Sequence, residues 1–222
     1  MSLRFFTHDE RPELRARKGP LLDAWPRFML EDEVSNRCWD LLSERFGGFQ
    51  HFLVDEHDEL VAEVNAVPVE LDVDALPDRG WDEALERGTT GAGTPTVVSA
   101  IQVLIAPGRQ GQGLSTLCLE RMRATAIAHG FEQLVAPVRP SWKERYPLVP
   151  IERYVGWTRP DGRLFDPWLR VHASLGAELV GPCRESMTVT GSVEEWEEWT
   201  GLAFPESGDY VVPGALELVR ID

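Results

Sequence analysis

Residues 101–130 read IQVLIAPGRQGQGLSTLCLERMRATAIAHG and give the clearest indication of the fold. An apolar run leads through a glycine-rich turn into residues whose apolar side chains recur at helical spacing. The run Val97–Ile105 is apolar on both faces, which predicts a central, buried strand. A helix is predicted over about 114–129, where His129 and Gly130 give a C-terminal stop. A strand, a glycine turn and a helix in this order indicate an α/β domain.

The turn between this strand and this helix is suited to hold a pyrophosphate. The N–H groups in the first turn of a helix have no partner inside the helix, and Gly111 and Gly113 let the preceding backbone approach an anion closely. The positive end of the helix dipole adds to the attraction. Two familiar nucleotide loops do not fit, because the glycine gaps are in the wrong order for G-x-G-x-x-G and no Gly-Lys-Ser/Thr follows.

The residues of the turn are Gln110, Gly111, Gln112, Gly113, Leu114 and Ser115. They resemble the acetyl-CoA motif of the GNAT superfamily of N-acetyltransferases, written Q/R-x-x-G-x-G/A. Gln110 and Gly113 match, and Ser115 stands where the family has Gly or Ala. The resemblance implies that the loop amides hold the CoA pyrophosphate and that acetyl-CoA is the acyl donor. The alternative is an ordinary turn of an α/β domain.

The resemblance also implies a fold: a mixed, mostly antiparallel central sheet flanked by helices, in which the fourth and fifth strands splay apart. In the family the pantetheine arm lies in this gap and bonds to the free backbone of the fourth strand, which here corresponds to Val103, Leu104 and Ile105. Residues 134–138 predict the fifth strand. Pro137 cannot donate a ladder hydrogen bond, so the splay is expected to begin there.

The elements upstream of the glycine turn fit the early part of the family order. Residues 36–46 predict a helix that stops at Gly47 and Gly48, and residues 51–54 and 60–67 predict two strands. The segment 70–95 is rich in Gly, Pro and acidic residues, which predicts a surface insertion with one short helix near 81–86.

Downstream, residues 146–165 form a second insertion that either carries substrate specificity or covers apolar surface. Asp166, Pro167 and Gly176 are typical of the N-cap, first position and end of a helix, which resembles the last helix of the family. We expect one GNAT-like domain over residues 1–222, with insertions near 70–95 and 146–165 and a C-terminal extension at 192–222.

The C-terminal extension begins with a capping box, Ser192 and Glu195, ahead of Trp196 and Trp199 on one helix face. Two Trp residues on one face predict a docking helix, with a homodimer contact as the alternative. Residues 214–221 predict a closing strand or arm.

The composition limits the classes of partner and compartment. The formal charge of −15 opposes binding to nucleic acid or to anionic membranes and would favour a cationic substrate, although solubility alone also explains an acidic surface. The chain has no apolar run long enough to cross a bilayer and no basic-then-apolar leader, so we expect a cytoplasmic protein. The cysteines are odd in number and widely spaced, which argues against disulfides and against a zinc site: Cys38, Cys118 and Cys183.

CoA itself carries phosphates, so a local basic patch is needed within this acidic chain. Arg109, Arg121 and Arg123 flank the loop and the helix and can supply such a patch. The pattern does not decide which of them reaches phosphate.

Acetyl transfer needs a neutral amine, a donor that stabilises the oxyanion and a proton for the departing thiolate. The resemblance implies that the strand amides near Val103 to Ile105 polarise the carbonyl and that His172, at the position of a family tyrosine, protonates the sulfur. The alternative for His172 is a core histidine, and Tyr146 is a rival acid or a packing residue. Glu63 is the candidate base, and a solvated carboxylate on the outer face of its strand is the alternative.

The residues and the resemblance together predict an N-acetyltransferase that moves an acetyl or short acyl group from acetyl-CoA to a primary amine by direct attack. A noncatalytic acyl-CoA-binding or sensing module is the alternative, and a third hypothesis is an α/β interaction domain without a cofactor. A peptide N-terminus, a lysine, a polyamine, an aminoglycoside or another small amine all remain open as acceptors.

Overall fold

A computed structural model describes residues 2–222. A five-stranded sheet has the order β1-β2-β3-β4-β5, and its strands are β1 Arg4–Thr7, β2 Gln50–Val54, β3 Leu60–Val69, β4 Val97–Ile105 and β5 Leu134–Val135. Neighbouring strands are antiparallel except β4 and β5, which are parallel. This is the mixed, mostly antiparallel sheet that the resemblance predicts, and that prediction is confirmed. The edge strand β1 had no predicted counterpart.

The helices are α1 Gly19–Leu22, α2 Glu33–Phe46, α3 Gly80–Thr90, α4 Leu114–Ala128, α5 Ile151–Tyr154, α6 Pro167–Ser174 and α7 Val193–Thr200. A second, antiparallel sheet pairs β6 Gly208–Tyr210 with β7 Val219–Ile221. Between residues 2 and 222, no helix combines the length and the apolar character needed to cross a membrane.

The described chain divides into two compact units. The first contains residues 2–25, Glu33–Pro137 and Cys183–Thr188, and the second contains Pro26–Asp32, Val138–Pro182 and Val189–Asp222. The first unit therefore holds the five-stranded sheet, and the second holds α5, α6, α7 and the small sheet. One domain over residues 1–222 stays a prediction.

The sheet of the first unit is covered on both faces. On one face, Val64 and Ala66 of β3 pack with the apolar stripe of α4, formed by Leu114, Cys118, Met122 and Ala126. On the other face, Val67 and Val69 pack with α2 and α3. Alternate residues of a strand point to opposite faces, so β3, buried along most of its length, serves both cores.

The segment 70–95 is more than a surface insertion. It contains the 11-residue helix α3, whose Ala84 and Leu85 are buried against the sheet. A Cβ added at Gly88 would lie 2.6 Å from Val67, so this glycine allows the helix to approach β3 closely. The helix predicted near 81–86 is present but longer, and it packs in the core instead of lying in a surface loop, because polar, Gly-rich flanks concealed its short apolar stripe.

The strands β4 and β5 separate almost as soon as they pair. Their ladder consists of Val98 opposite Leu134 and Ser99 opposite Val135. Beyond Ser99, β4 continues to Ile105 with no strand partner on that edge among residues 2–222. Pro137 follows two residues after β5, where a missing N–H prevents further pairing. The predicted splay is confirmed.

The second unit is organised around two clusters. The buried carboxylate of Asp166 caps α6 and also accepts a hydrogen bond from the hydroxyl of Tyr154 (2.9 Å). Trp196 of α7 is buried and its ring lies 5.4 Å from that of Phe28. Trp196 is thus part of a local core, as expected for a docking helix.

Candidate active site

The glycine turn presents uncapped backbone amides at the start of α4. Gly111 (φ 74°) and Gly113 (φ 79°) both have left-handed backbone conformations, which favour glycine. Gly113 is the N-cap residue and supplies no side-chain cap, while Leu114 is buried and fixes the helix on the sheet. A Cβ added at either glycine would meet no atom within 4 Å. Open space in front of free helix amides is what a phosphate group requires.

The residues of this turn divide by exposure. Gln110, Gly111, Gln112 and Gly113 are exposed, and Ser115 is half-buried. Ser115 is the second residue of α4 and lies in its first turn. The backbone of residues 110–113 is therefore accessible to an anion, while the buried side chain of Leu114 holds the loop against the core.

The unpaired edge of β4 ends directly before this turn. Leu104 is buried, whereas Val103 and Ile105 are half-buried and pack on the side of α4. The backbone edge toward β5 has no ladder partner here within the described residues. The strand and the turn therefore place free amides of two kinds next to each other in sequence, which is the arrangement that the resemblance predicts.

A buried carboxylate holds the start of the loop in place. Asp55, at the end of β2, is 1% exposed, and its Oδ1 accepts hydrogen bonds from the backbone N–H groups of His57 (3.0 Å) and Glu59 (3.1 Å). Its Oδ2 pairs with the guanidinium of Arg109. Burial raises the pKa of Asp55, but these N–H donors and Arg109 outweigh burial and hold the pKa below its ordinary value. Asp55 thereby ties the β2–β3 turn to the residue just before Gln110.

Replacing Asp55 by Asn should weaken acetyl-CoA binding about three- to tenfold, because the loss of one charge-assisted bond releases Arg109 and loosens the loop. The KM of the amine acceptor should not change. The matched control is Asp58→Asn, at the same turn, which pairs with Arg11 and Arg17 instead. Titration calorimetry with acetyl-CoA measures both, and equal weakening in the two variants would contradict a specific role for Asp55.

The three arginines near the loop have different surroundings. Arg109 is held by Asp55, and the guanidinium of Arg121 lies 4.8 Å from the ring centroid of Phe5 on β1. Arg123 is exposed on α4. Arg109 is therefore the arginine whose position is fixed beside the glycine turn.

Glu63 is buried, which excludes the alternative of a solvated carboxylate on an outer face. It is 3% exposed and lies opposite Leu104 in the β3–β4 ladder. The outer face is covered by α2 and α3, so a strand that looked half polar is buried on both sides. Burial raises the pKa of Glu63, opposed by the ammonium of Lys18, whose Nζ is 3.9 Å from Oε1. A buried carboxylate with a raised pKa, on the strand paired with β4, has the chemistry of a general base.

His172 lies on α6 in the second unit. Its ring is half-buried, 4.5 Å from the ring of Trp168, and its Nε2 is buried with no hydrogen-bond partner among the described residues. Burial lowers the pKa of His172 to about 4, so the imidazole is neutral at pH 7. A neutral imidazole can donate one N–H but does not carry the extra proton of an imidazolium.

Tyr146 belongs to an aromatic cluster in the same unit. Its ring lies 5.0 Å from that of Trp157, 5.8 Å from that of Phe165 and 5.9 Å from that of Tyr154. Ring packing of this kind fixes the position of the phenol. The second unit therefore contains both candidate acids, while Glu63 and residues 103–105 and 110–115 belong to the first.

The sequence analysis did not predict roles for Asp55, for Lys18 or for the amide side chains of Asn65 and Gln102, which lie on the same two strands as Glu63 and its ladder partner. Asp55 ends an apolar strand before a turn, a position where Asp commonly caps backbone N–H groups, so this signal was available. Lys18 lies in an irregular segment, and no periodicity connects it to Glu63.

Comparison with known proteins shows a clear sequence relationship. The chain is 36% identical over 233 residues to the arginine N-acetyltransferase avaD of Aspergillus versicolor, covering 91% of this chain and 80% of that protein. No family profile matches the chain.

Two solved structures share the fold. The loading GNATL domain of CurA from Lyngbya majuscula has a TM-score of 0.63 at 23% identity, covering 83% of this chain and 89% of that one. The GphF GNAT-like decarboxylase in complex with isobutyryl-CoA has a TM-score of 0.57 at 18% identity, covering 84% and 95%. At these identities the similarity concerns the fold.

Proposed function

We propose that this chain, which belongs to the GNAT superfamily of N-acetyltransferases, acetylates the α-amino group of arginine or of a closely similar cationic amine. The protein is an acyltransferase, acetyl-CoA is its acyl donor, and the predicted amine N-acetylation is confirmed at the level of the family. No observation favours a noncatalytic acyl-CoA-binding module. The relationship to a fungal arginine N-acetyltransferase carries the choice of acceptor.

Elementary chemistry supports the α-amine as the acetylated group. The guanidinium of arginine has a very high pKa and stays protonated, so it is a poor nucleophile at neutral pH. An α-amine loses its proton far more readily. The formal charge of −15 suits a cationic acceptor, since an acidic surface attracts it.

Different residues of the chain have separate roles in acyl transfer. The amides at the start of α4 bind the pyrophosphate of the donor, and the amides near Val103 to Ile105 stabilise the oxygen that gains charge. Acetyl-CoA supplies the acetyl group as a thioester. Glu63 takes the proton of the attacking ammonium. The departing thiolate takes a proton from the phenol of Tyr146 or accepts a hydrogen bond from the neutral imidazole of His172. One C–N bond forms as one C–S bond breaks.

The test is product analysis with purified protein, acetyl-CoA and L-arginine. We expect thiol release that depends on both substrates, and mass spectrometry should locate the acetyl group on the α-nitrogen. The control acceptor is 5-guanidinopentanoate, which keeps the guanidinium and the carboxylate but lacks the α-amine. Acetyl-CoA binding without acetylation of arginine would contradict the proposed acceptor.

His172→Phe should lower kcat at least about tenfold while leaving acetyl-CoA affinity unchanged, if His172 donates to the sulfur. Tyr146→Phe, which removes only a hydroxyl, tests the rival acid in the same assay. His57→Phe, at an exposed position, is the control for adding a ring. Full turnover in folded His172→Phe protein would remove His172 from the mechanism, and the same result for Tyr146→Phe would remove Tyr146.

A further inference from the structure

Three buried oxygen atoms on one face of the central sheet have no hydrogen-bond donor within residues 2–222. They are Oε2 of Glu63, Oδ1 of Asn65 and Oε1 of Gln102. Glu63 and Asn65 are each 3% exposed. Buried acceptors without donors are uncommon in folded proteins because each has given up its hydrogen bonds to water.

The three side chains are neighbours in the sheet. Glu63 and Asn65 are two residues apart on β3 and so share a face. Asn65 lies directly opposite Gln102 of β4, and Glu63 lies opposite Leu104. Gln102 immediately precedes the β4 amides proposed to hold the thioester oxygen.

The hydrogen bonds around Asn65 fix the orientation of its amide. The Nε2 of Gln50 donates to two backbone carbonyls, those of Phe46 (2.9 Å) and Ala66 (2.8 Å), so its Oε1 accepts. The Nδ2 of Asn65 donates to that oxygen at 3.1 Å. The oxygen Oδ1 of Asn65 is therefore the atom left without a donor, independently of the usual ambiguity of amide groups.

Lys18 does not supply the missing donor. Its Nζ is 3.9 Å from Oε1 of Glu63, beyond hydrogen-bond distance, and it lies 5.2 Å from the ring centroid of Trp39. The other carboxylate oxygen of Glu63, Oε2, accepts no hydrogen bond from the described residues. The cluster thus offers two acceptors of fixed identity, Oε2 of Glu63 and Oδ1 of Asn65, and a third in the amide oxygen of Gln102.

The chemistry of these acceptors selects a ligand. A primary ammonium has three N–H donors and no acceptor, whereas water has two donors and a guanidinium has five in a rigid plane. We infer that Glu63, Asn65 and Gln102 bind the primary ammonium of the acceptor, an inference that rests on the proposed function. Glu63 then takes one ammonium proton: an N–H bond breaks, an O–H bond forms, and the neutral amine keeps the electron pair that attacks.

A binding experiment tests the ligand class directly. Wild-type protein saturated with CoA is titrated with L-arginine, agmatine and 5-guanidinopentanoate. The first two carry a primary ammonium, and we expect both to bind. We expect the third to bind at least about tenfold more weakly, since it lacks the group with three donors. Equal binding of all three would overturn the site.

Variants of Gln102 separate the site from a structural role. Gln102→Met removes the acceptor at nearly constant shape, and Gln102→Glu keeps an acceptor there. We expect Gln102→Met to raise the KM for L-arginine about tenfold or more, with the KM for acetyl-CoA unchanged, and Gln102→Glu to keep arginine binding. Gln133→Met, at an exposed position, is the control. The melting temperature of Gln102→Met should stay equal or rise, because a buried acceptor without a donor is removed.

The outcomes distinguish the two proposals. Unchanged arginine KM in Gln102→Met, with normal acetylation, would overturn the ammonium site and leave the proposed function intact. A lower melting temperature with unchanged KM would identify a buried-water position instead, which also overturns the site. Binding of arginine and agmatine by wild-type protein that acetylates neither would support the site and overturn the proposed function.

Discussion

Gly113→Trp is expected to abolish acetyl-CoA binding, with an affinity loss of at least about a hundredfold. Gly113 precedes the first amide of α4, and its surroundings are empty within 4 Å of an added Cβ. An indole at this position would occupy the space in front of the amides that the pyrophosphate needs. Titration calorimetry with acetyl-CoA measures the effect.

The other end of the same helix offers a matched control. Gly130 has φ 84°, close to the 79° of Gly113, and also has empty surroundings within 4 Å of an added Cβ. Both substitutions therefore carry a similar backbone strain, about 1–2 kcal/mol. Gly130→Trp should bind acetyl-CoA normally. Full affinity in folded Gly113→Trp protein would place the donor elsewhere, and equal losses in both variants would assign the effect to strain.

Glu63→Gln is expected to lower kcat by about a hundredfold or more, because it removes the group proposed to accept the amine proton while conserving the shape of the side chain. The wild-type rate should rise with pH through the raised pKa of Glu63, and Glu63→Gln should lose this limb of the profile. The control is Glu59→Gln, an exposed carboxylate at the turn before β3. A Glu63→Gln enzyme with normal kcat and an unchanged pH profile would exclude Glu63 as the base.

The same substitution has a stability signature with a defined sign. The pKa of Glu63 is higher in the folded than in the unfolded protein, so the folded state binds more protons between the two values. The contribution of Glu63 to the free energy of unfolding is therefore complete at pH values below its unfolded-state pKa. This contribution is lost as the pH rises through its folded-state pKa. Glu63→Gln should therefore gain stability relative to wild type as pH increases across this window. Denaturant unfolding at several pH values checks the trend.

The fold was largely predictable from the glycine turn and its two flanking elements. The strand Val97–Ile105 has the predicted bounds, and α4 ends one residue before the prediction. The two faces of β4 cannot be assigned by assuming that alternate residues point to opposite sides along the whole strand. The ladder passes from Asn65–Gln102 to Ala66–Ala100, which leaves Ile101 as an extra residue. This bulge shifts the alternation, and side-chain periodicity alone does not reveal it.

The candidate site was predictable only in part. The loop at 110–115 has a motif because backbone geometry imposes Gly at fixed spacings. The surroundings of Glu63 have none, since Lys18, Gln50, Asn65 and Gln102 come together from separate segments through sheet register and helix packing. Asn65 and Gln102 are opposite each other only because the bulge at Ile101 sets that register. Three-dimensional pairing of this kind leaves no local pattern in the chain.

Titration of the wild-type protein with acetyl-CoA, with NADH and ATP as controls, is the decisive test of the proposed donor site at residues 110–115. We predict saturable binding of one acetyl-CoA per chain and no comparable binding of NADH or ATP, because we propose that the glycine turn and the free edge of β4 together hold the phosphorylated pantetheine. Failure of folded protein to bind acetyl-CoA would contradict the assignment of the turn at residues 110–115.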